Sequence, residues 1–364
     1  MKNVLLSLVL VCIVQISFGQ IITITAGDMP VAGDTLRYST ALGATSGINV
    51  NDSGTNKTWV YDTMKPILQT LDTYKFAATV NIAFVLTDLT AYGYKIADSI
   101  PGLGTLGAGL SIKNIYNFFN KKTSPDRYLA EGIGATVTTA LGSAPTAASY
   151  SDPDEIYYFP LTYPHTQDSS SFAININLAT VGSLKRQGYR KTTVDGWGTI
   201  KTPYYKTATN CIRIRSEIHE IDTINIPLLS LNLPLVMDTI EYKWLVNGGH
   251  YPALWVTQSK HTSVLTSVTY RDSLRHGVLS VNNQPQLSWQ AIQAYPNPVT
   301  KGDMHLVIPA DWSDFTVLVY DNTGRVVADF KNKNQFNVNS LSSGKYILLI
   351  KCNNNIGISQ IAKQ

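Results

Sequence analysis

Asn210 to Asp222, "NCIRIRSEIHEID", alternates strictly: Ile212, Ile214 and Ile218 recur at even spacing, with Arg213, Arg215, Glu217 and His219 between them. A period of two is the pleat of a β-strand, with one face packed and the other wet. "TSVLTSVTYRDSL" repeats the pattern, and "TLDTYKFAATVNIAFVLTDL" is rich in Val, Ile, Phe and Thr, the residues that suit strands. Long Glu, Lys and Ala runs are almost absent, whereas there are 20 Tyr. The one helical candidate is "LSIKNIYNFFNKK", where Leu110, Ile112, Ile115 and Phe119 fall near helical spacing. These patterns predict an all-β chain: a sandwich-like central domain with one short helical insertion, then a small β-sandwich at the C-terminus.

At 364 residues, 44% hydrophobic and 15% charged, the chain can bury a real core and is no disordered polymer. Residues 20–293 carry 21 Lys and Arg against 20 Asp and Glu, which leaves no basic face for nucleic acid. The one dense basic stretch, Lys185, Arg186, Arg190 and Lys191, reads as a solvated strand edge or turn.

The first residues, "MKNVLLSLVLVCIVQISFGQ", have the form of a signal peptide over 1–19. Lys2 begins it, Val4 to Val14 are apolar, and Ser17-Phe18-Gly19 is a small-residue cleavage pattern. That apolar run is shorter than the roughly 20 residues a membrane helix needs, and no later segment is long and apolar enough to span. Beyond it the cysteines are Cys211 and Cys352, in different domains; Cys211 lies in an alternating strand and reads as a small buried apolar group.

Chemical signals are weak. "GLGTLG", Gly102 to Gly107, matches G-x-G-x-x-G but follows Pro101 instead of a strand, so it reads as a loop. Asp152, Asp154 and Glu155 read as a polar turn before the strand "IYYF", although close carboxylates could also serve calcium or glycoside hydrolysis. "NVNDSGTN" lacks the distal Glu of a calcium loop, because position 60 is Val. The chain has no G-x-S-x-G, H-E-x-x-H or C-x-x-C, and its six His are scattered without ligand spacing. His219 and Glu220 would face opposite sides of one strand. No catalytic residue, metal site or cofactor is assigned. In "VDGWGTIKTPYY", glycines bracket Trp197, so the backbone should turn beside a large ring. Trp197, with Tyr204 and Tyr205, could stack on a sugar, but the preferred reading is that Trp197 plugs the open end of the sandwich.

From 283 to 293 the alternation fades into a linker between a central domain at 20–282 and a unit at 294–364. That unit opens with "AYPNPV" (Tyr295, Pro296, Asn297, Pro298), continues through "VLVYDNTGRVV" (Gly324, Arg325) and "FNVNSLSSGKYILLIK" (Gly344, Tyr346), and holds six or seven strands. These motifs, in this order, resemble the type A C-terminal sorting domain of the type IX secretion system of Bacteroidetes-type bacteria. The resemblance implies export across the outer membrane by that machinery, removal of the domain by a surface peptidase, and release or attachment to the outer face of the outer membrane. The central stretches "YYFPLTY", "VDGWGTIKTPYY" and "YKWLVNGGHYPALWV" resemble secreted proteins with the same tail and no assigned reaction. The function expected is a secreted or cell-surface binding or adhesion module for a glycan or surface protein. The alternative is a polysaccharide hydrolase with dispersed carboxylates.

Overall fold

The computed structural model describes residues 21–43, 46–86, 88–99, 111–139, 142–165, 167–177, 182–226, 231–275, 288–321, 326–352 and 355–364. The signal-peptide reading at 1–19 and the Gly102 to Gly107 motif lie outside them, as do Gly324 and Arg325.

Fourteen central strands share one sheet, in place of the two separate sheets of a sandwich. They begin with β1 (Thr35–Thr40), β2 (Gly54–Val60), β3 (Leu68–Thr73), β4 (Lys75–Phe76) and β5 (Tyr92–Ser99). Long strands follow: β6 (Ser111–Lys122), β7 (Arg127–Thr139), β8 (Gly142–Tyr158), β9 (Asp168–Asn177) and β10 (Ser183–Lys201). The set closes with β11 (Thr209–Ile226), β12 (Leu231–Leu245), β13 (Leu254–Ser259) and β14 (Leu265–Arg271). Their order is β3-β1-β14-β13-β12-β11-β10-β9-β8-β7-β6-β5-β4, with β2 parallel to the end of β10.

This order has a geometric consequence. The strands at its two ends, β3 and β4, are joined through Tyr74 alone. The sheet must therefore curl until its ends meet, and β3 does approach β5. Tyr74 is held at that seam by backbone hydrogen bonds, donating to Asp34 and accepting from Gly33 (both 2.9 Å). The curl gives the sheet an inner face and an outer face, and both are packed on β11–β13. Ile212, Ile214 and Leu245 join the inner cluster with Tyr74, Tyr92, Tyr128, Tyr157 and Tyr251. Cys211, Trp244, Leu254 and Val256 join the outer cluster, which β2 covers with Trp59.

The expectation of one wet face on β11 is therefore corrected at its start, where Arg213 is 1% exposed. Its guanidinium donates to both carboxylate oxygens of Asp195 (2.8 Å each), to the carbonyl of Asp52 (3.0 Å) and to that of Val50 (2.8 Å). It also lies 5.1 Å from the ring centre of Tyr242 and 5.4 Å from that of Trp244.

Three further expectations change. The helical candidate is strand β6, and its spacing is explained by bulges: register shifts fall between Lys113 and Tyr116 and between Phe118 and Phe119. Each bulge resets the pleat, so buried Ile112, Ile115 and Phe118 recur every third residue and imitate a helix. The short helix lies instead at α1 (Ala77–Val80), inside a stretch read as strand. Trp197 sits in no turn. Asp195 to Gly198 continue β10 through a bulge between Val194 and Gly196. Gly198 is needed there, because a Cβ would stand 1.9 Å from the Lys57 carbonyl oxygen of β2.

The C-terminal unit has a core of its own around Val317, Leu348 and Ile350. Its five-stranded sheet runs through β15 (Ser288–Ala291), β22 (Asn355–Lys363), β21 (Gly344–Cys352), β18 (Thr316–Tyr320) and β19 (Val326–Lys331), in that order. A second sheet holds β16 (Ala294–Tyr295), β17 (Asp303–Leu306) and β20 (Gln335–Asn337). Within the stretch read as linker, β15 pairs in parallel with β22. Cys211 and Cys352 are both buried and unpaired, and burial pushes the Cys211 thiol well up.

Candidate binding sites

The inner face of the curled sheet carries an ion network that the sequence does not announce. Arg190 of β10 donates to both oxygens of Asp154 on β8 (2.8 Å each) and to Glu241 on β12 (2.9 Å), which also accepts from Lys243 (2.8 Å). Four residues back along β10, Arg186 grips Asp222 of β11 (2.8 and 2.7 Å) and reaches Glu220 at 3.3 Å. The basic stretch is thus neither edge nor turn: Arg186 and Arg190 point inward from the middle of the sheet, while Lys185 and Lys191 are exposed. Asp152, Asp154 and Glu155 also lie within a strand. The β8–β9 ladder stops after Asp152, where Pro153 offers no N–H, and the Glu155 backbone N–H donates instead to the Ser170 hydroxyl (3.1 Å).

Four carboxylates (Asp154, Glu220, Asp222, Glu241) here face three cations (Arg186, Arg190, Lys243), and Glu220 is the carboxylate left over. Burial opposes ionisation of Glu241, yet Lys243 and Arg190 hold its carboxyl down at about 2. Burial pushes Glu220 up to about 7, repulsion from Asp222 and Asp154 adds to it, and Arg186 offsets only part. Folded Glu220 therefore keeps its proton where the unfolded chain has lost it. Raising pH from about 4.5 to about 7 should remove up to about 3 kcal/mol of stability. Glu220→Gln is expected to abolish that loss and to be the more stable protein at pH 8, by about 1–3 kcal/mol. Urea unfolding at pH 4.5 and pH 8 measures it, and equal pH slopes in the two proteins would contradict it.

Beside the network lies a cavity of about 100 Å³, walled by Tyr74, Tyr94, Phe119, Tyr128, Tyr157, Tyr251 and Trp255, with Lys243 among them. Six strands (β5, β6, β7, β8, β12 and β13), the Tyr74 seam and the loop between β12 and β13 supply these side chains. Burial pushes the hydroxyls of Tyr74, Tyr94, Tyr128 and Tyr251 well up, so they stay neutral. Asp28, Met29 and Pro30 from one loop, and Val246, His250 and Pro252 from another, also line the cavity. His250 Nδ1 pairs with Asp34 (2.7 Å), Asp28 accepts from the Gly248 N–H (2.6 Å), and Lys121 donates to the Met29 carbonyl (2.8 Å).

Of the three aromatic residues picked out from sequence, Trp197 is partly buried and packs against the inner cluster. Tyr204 and Tyr205 lie together in the turn after β10, edge to face at 4.9 Å. Tyr204 is 37% exposed, with the Arg271 guanidinium 5.0 Å from its ring centre. Arg271 also donates to the Gly249 carbonyl, next to His250 of the cavity wall. The structure thus unites Tyr204 with Tyr205 and adds Arg271, which no sequence pattern marks. Of the scattered histidines, His219 and His261 both bond Asp238 on the outer face (2.9 Å each), apart from Glu220. Among the described residues, no group of three or more His, Cys, Asp or Glu is placed to hold a metal ion.

In the C-terminal unit, the Tyr-Pro-Asn-Pro segment ties the first strand to the last. Asn297 Oδ1 accepts from the Ala362 N–H (2.9 Å), and Val299 exchanges backbone hydrogen bonds with Ala362 and Gln364 (2.9 Å each). Tyr295 is exposed and stacks on His305 at 5.2 Å. Gly344 opens β21, and buried Tyr346 donates its hydroxyl to the Ser342 carbonyl (2.7 Å). This region matches, over residues 293–364, the family described as "Secretion system C-terminal sorting domain". Residues 293–364 are a type IX secretion sorting domain. The sorting domain is about a fifth of the chain and supports its export by the type IX system. No curated protein and no solved structure matches the chain, so the role of the central sheet rests on its own residues. No helix among the described residues is long and apolar enough to cross a membrane.

Proposed function

We propose that the sorting domain delivers the central domain to the cell surface or the medium, where it serves as a non-catalytic binding or adhesion module for a glycan. The observation that carries this reading is the Tyr204 platform. Its ring is exposed, braced edge-on by Tyr205, and the Arg271 guanidinium lies over one face. A fixed aromatic face with adjacent N–H donors suits the apolar face and hydroxyl rim of a sugar. Removal of the sorting domain by a surface peptidase belongs to the same proposal, followed by release or attachment outside the outer membrane.

The hydrolase alternative has less support. It needs two carboxylates facing one cleft with work left to do. Asp154 and Asp195 are each clamped by an arginine, Glu155 is held by Arg127 and Ser170, and Asp152 accepts from Ser171 (2.6 Å). A broad glycan array probed with the purified full-length protein tests the proposal. Binding to one glycan class, reduced at least about tenfold by Tyr204→Ala, is expected, since removing an aromatic anchor costs about 1.4 kcal/mol or more. Silence across the array would overturn it.

A further inference from the structure

Tyr74, Tyr94 and Tyr128 line the interior cavity, and none of their hydroxyls makes a hydrogen bond among the described residues. Nor are those hydroxyls sealed inside the packing. Tyr74 and Tyr128 are only 5% and 6% exposed, so what their hydroxyls meet is what the cavity holds. The three rings belong to one run of contacts: Tyr74 to Tyr94 (4.9 Å), Tyr94 to Phe119 (5.9 Å) and Phe119 to Tyr128 (5.5 Å). A neutral phenol both donates and accepts. The wall therefore offers several two-way hydrogen-bonding groups set among apolar ring surfaces, which is the chemistry that a hydroxylated ring complements.

The charged groups in the wall are already engaged. Lys243 donates to Glu241 (2.8 Å), bonds the Tyr157 hydroxyl, and lies 4.1 Å from the centre of the Trp255 ring. The Asp28 carboxylate accepts from the Gly248 N–H (2.6 Å), and from the N–H (2.8 Å) and hydroxyl (3.1 Å) of Thr25. His250 gives Nδ1 to Asp34 (2.7 Å), which leaves Nε2 as an acceptor while the ring is neutral. An ionic guest would find no free counter-ion here.

We propose that this cavity is a binding site for one neutral sugar residue at the end of a chain. The half-enclosed space, about 100 Å³, is smaller than the engineered cavity of about 150 Å³ that admits benzene. It takes in one edge of a hexose and leaves no room for a chain to run through. The site shares a ligand class with the Tyr204 face but none of its residues.

Calorimetric titration of the full-length protein tests this, at about pH 6, where glucuronate is an anion and glucosamine a cation. At least one of methyl α-glucoside, methyl α-galactoside and methyl α-mannoside should saturate a single site and bind more tightly than either charged sugar. Tyr74→Phe, Tyr94→Phe and Tyr128→Phe each keep the ring and remove the hydroxyl. At least two of the three should weaken that hexoside about fivefold, without lowering the melting temperature, because no protein bond is lost. No saturable binding by any methyl hexoside, tightest binding by a charged sugar, or unchanged affinity in two or more of the Phe variants overturns the proposal. Hexoside failure with glycan binding at the Tyr204 face intact would overturn this site alone. The expected hexoside order, with array binding that Tyr204→Ala leaves intact, would overturn the surface reading alone.

Discussion

Deleting residues 294–364 is expected to leave the protein in the periplasm. The sorting domain has its own core and its own two sheets, so the deletion removes a folded unit and leaves the 14-stranded sheet with every strand partner it had. β15 alone loses its neighbour β22, and its four residues lie outside that sheet. A failure to reach the surface would thus report a lost signal and not a collapsed cargo. Fractionation with antibody against the central domain, alongside protease resistance of the retained protein, separates the two. Surface delivery at natural levels without the tail would contradict the assignment of export to this domain.

Arg213→Ala is expected to be the most damaging single substitution in the central domain. The guanidinium satisfies Asp195 and the carbonyls of Val50 and Asp52 at once, between the rings of Tyr242 and Trp244. Removing it strands a half-buried carboxylate and two carbonyls and leaves a void beside Trp244. Breaking one partner of a buried ion pair costs about 3–5 kcal/mol. For a domain of this size that lowers the melting temperature by about 5–10 °C. Arg213→Lys should recover less than half of the loss, because an ammonium cannot make the bidentate contact and reach both carbonyls. Thermal unfolding followed by circular dichroism checks both variants. A fall below about 1 kcal/mol, within the range of an exposed pair, would show that the site is wet and the argument wrong.

The parts of this fold legible in sequence are those where one residue's neighbours in the chain settle its environment. Alternation marks β11, and the surroundings of Cys211 make it a buried apolar group. The tail is legible as a unit, since residues 293–364 match a sorting-domain family. What was illegible depends on register between strands. Two bulges in β6 turned a pleat into an apparent helical period. Arg186 and Arg190 read as solvated because their counter-ions come from β8, β11 and β12, up to 51 residues away. The cavity is harder still, since its wall is drawn from six strands, a seam and a loop. Its one local trace is a surplus of tyrosine at inward positions, such as Tyr92 and Tyr94 two residues apart on β5. Curling of the sheet follows from Tyr74 linking its two ends, a fact that appears only once the strand order is known.

The account treats the central domain as a binder whose carboxylates are structural and whose contact is the Tyr204 face. The most direct test takes the glycan class that the array identifies and measures, in one incubation, retention of the full-length protein and chain length of the polymer. Saturable binding that Tyr204→Ala abolishes, with polymer length unchanged after prolonged contact, is the result predicted. Progressive shortening of the polymer, or full binding by Tyr204→Ala, would contradict it.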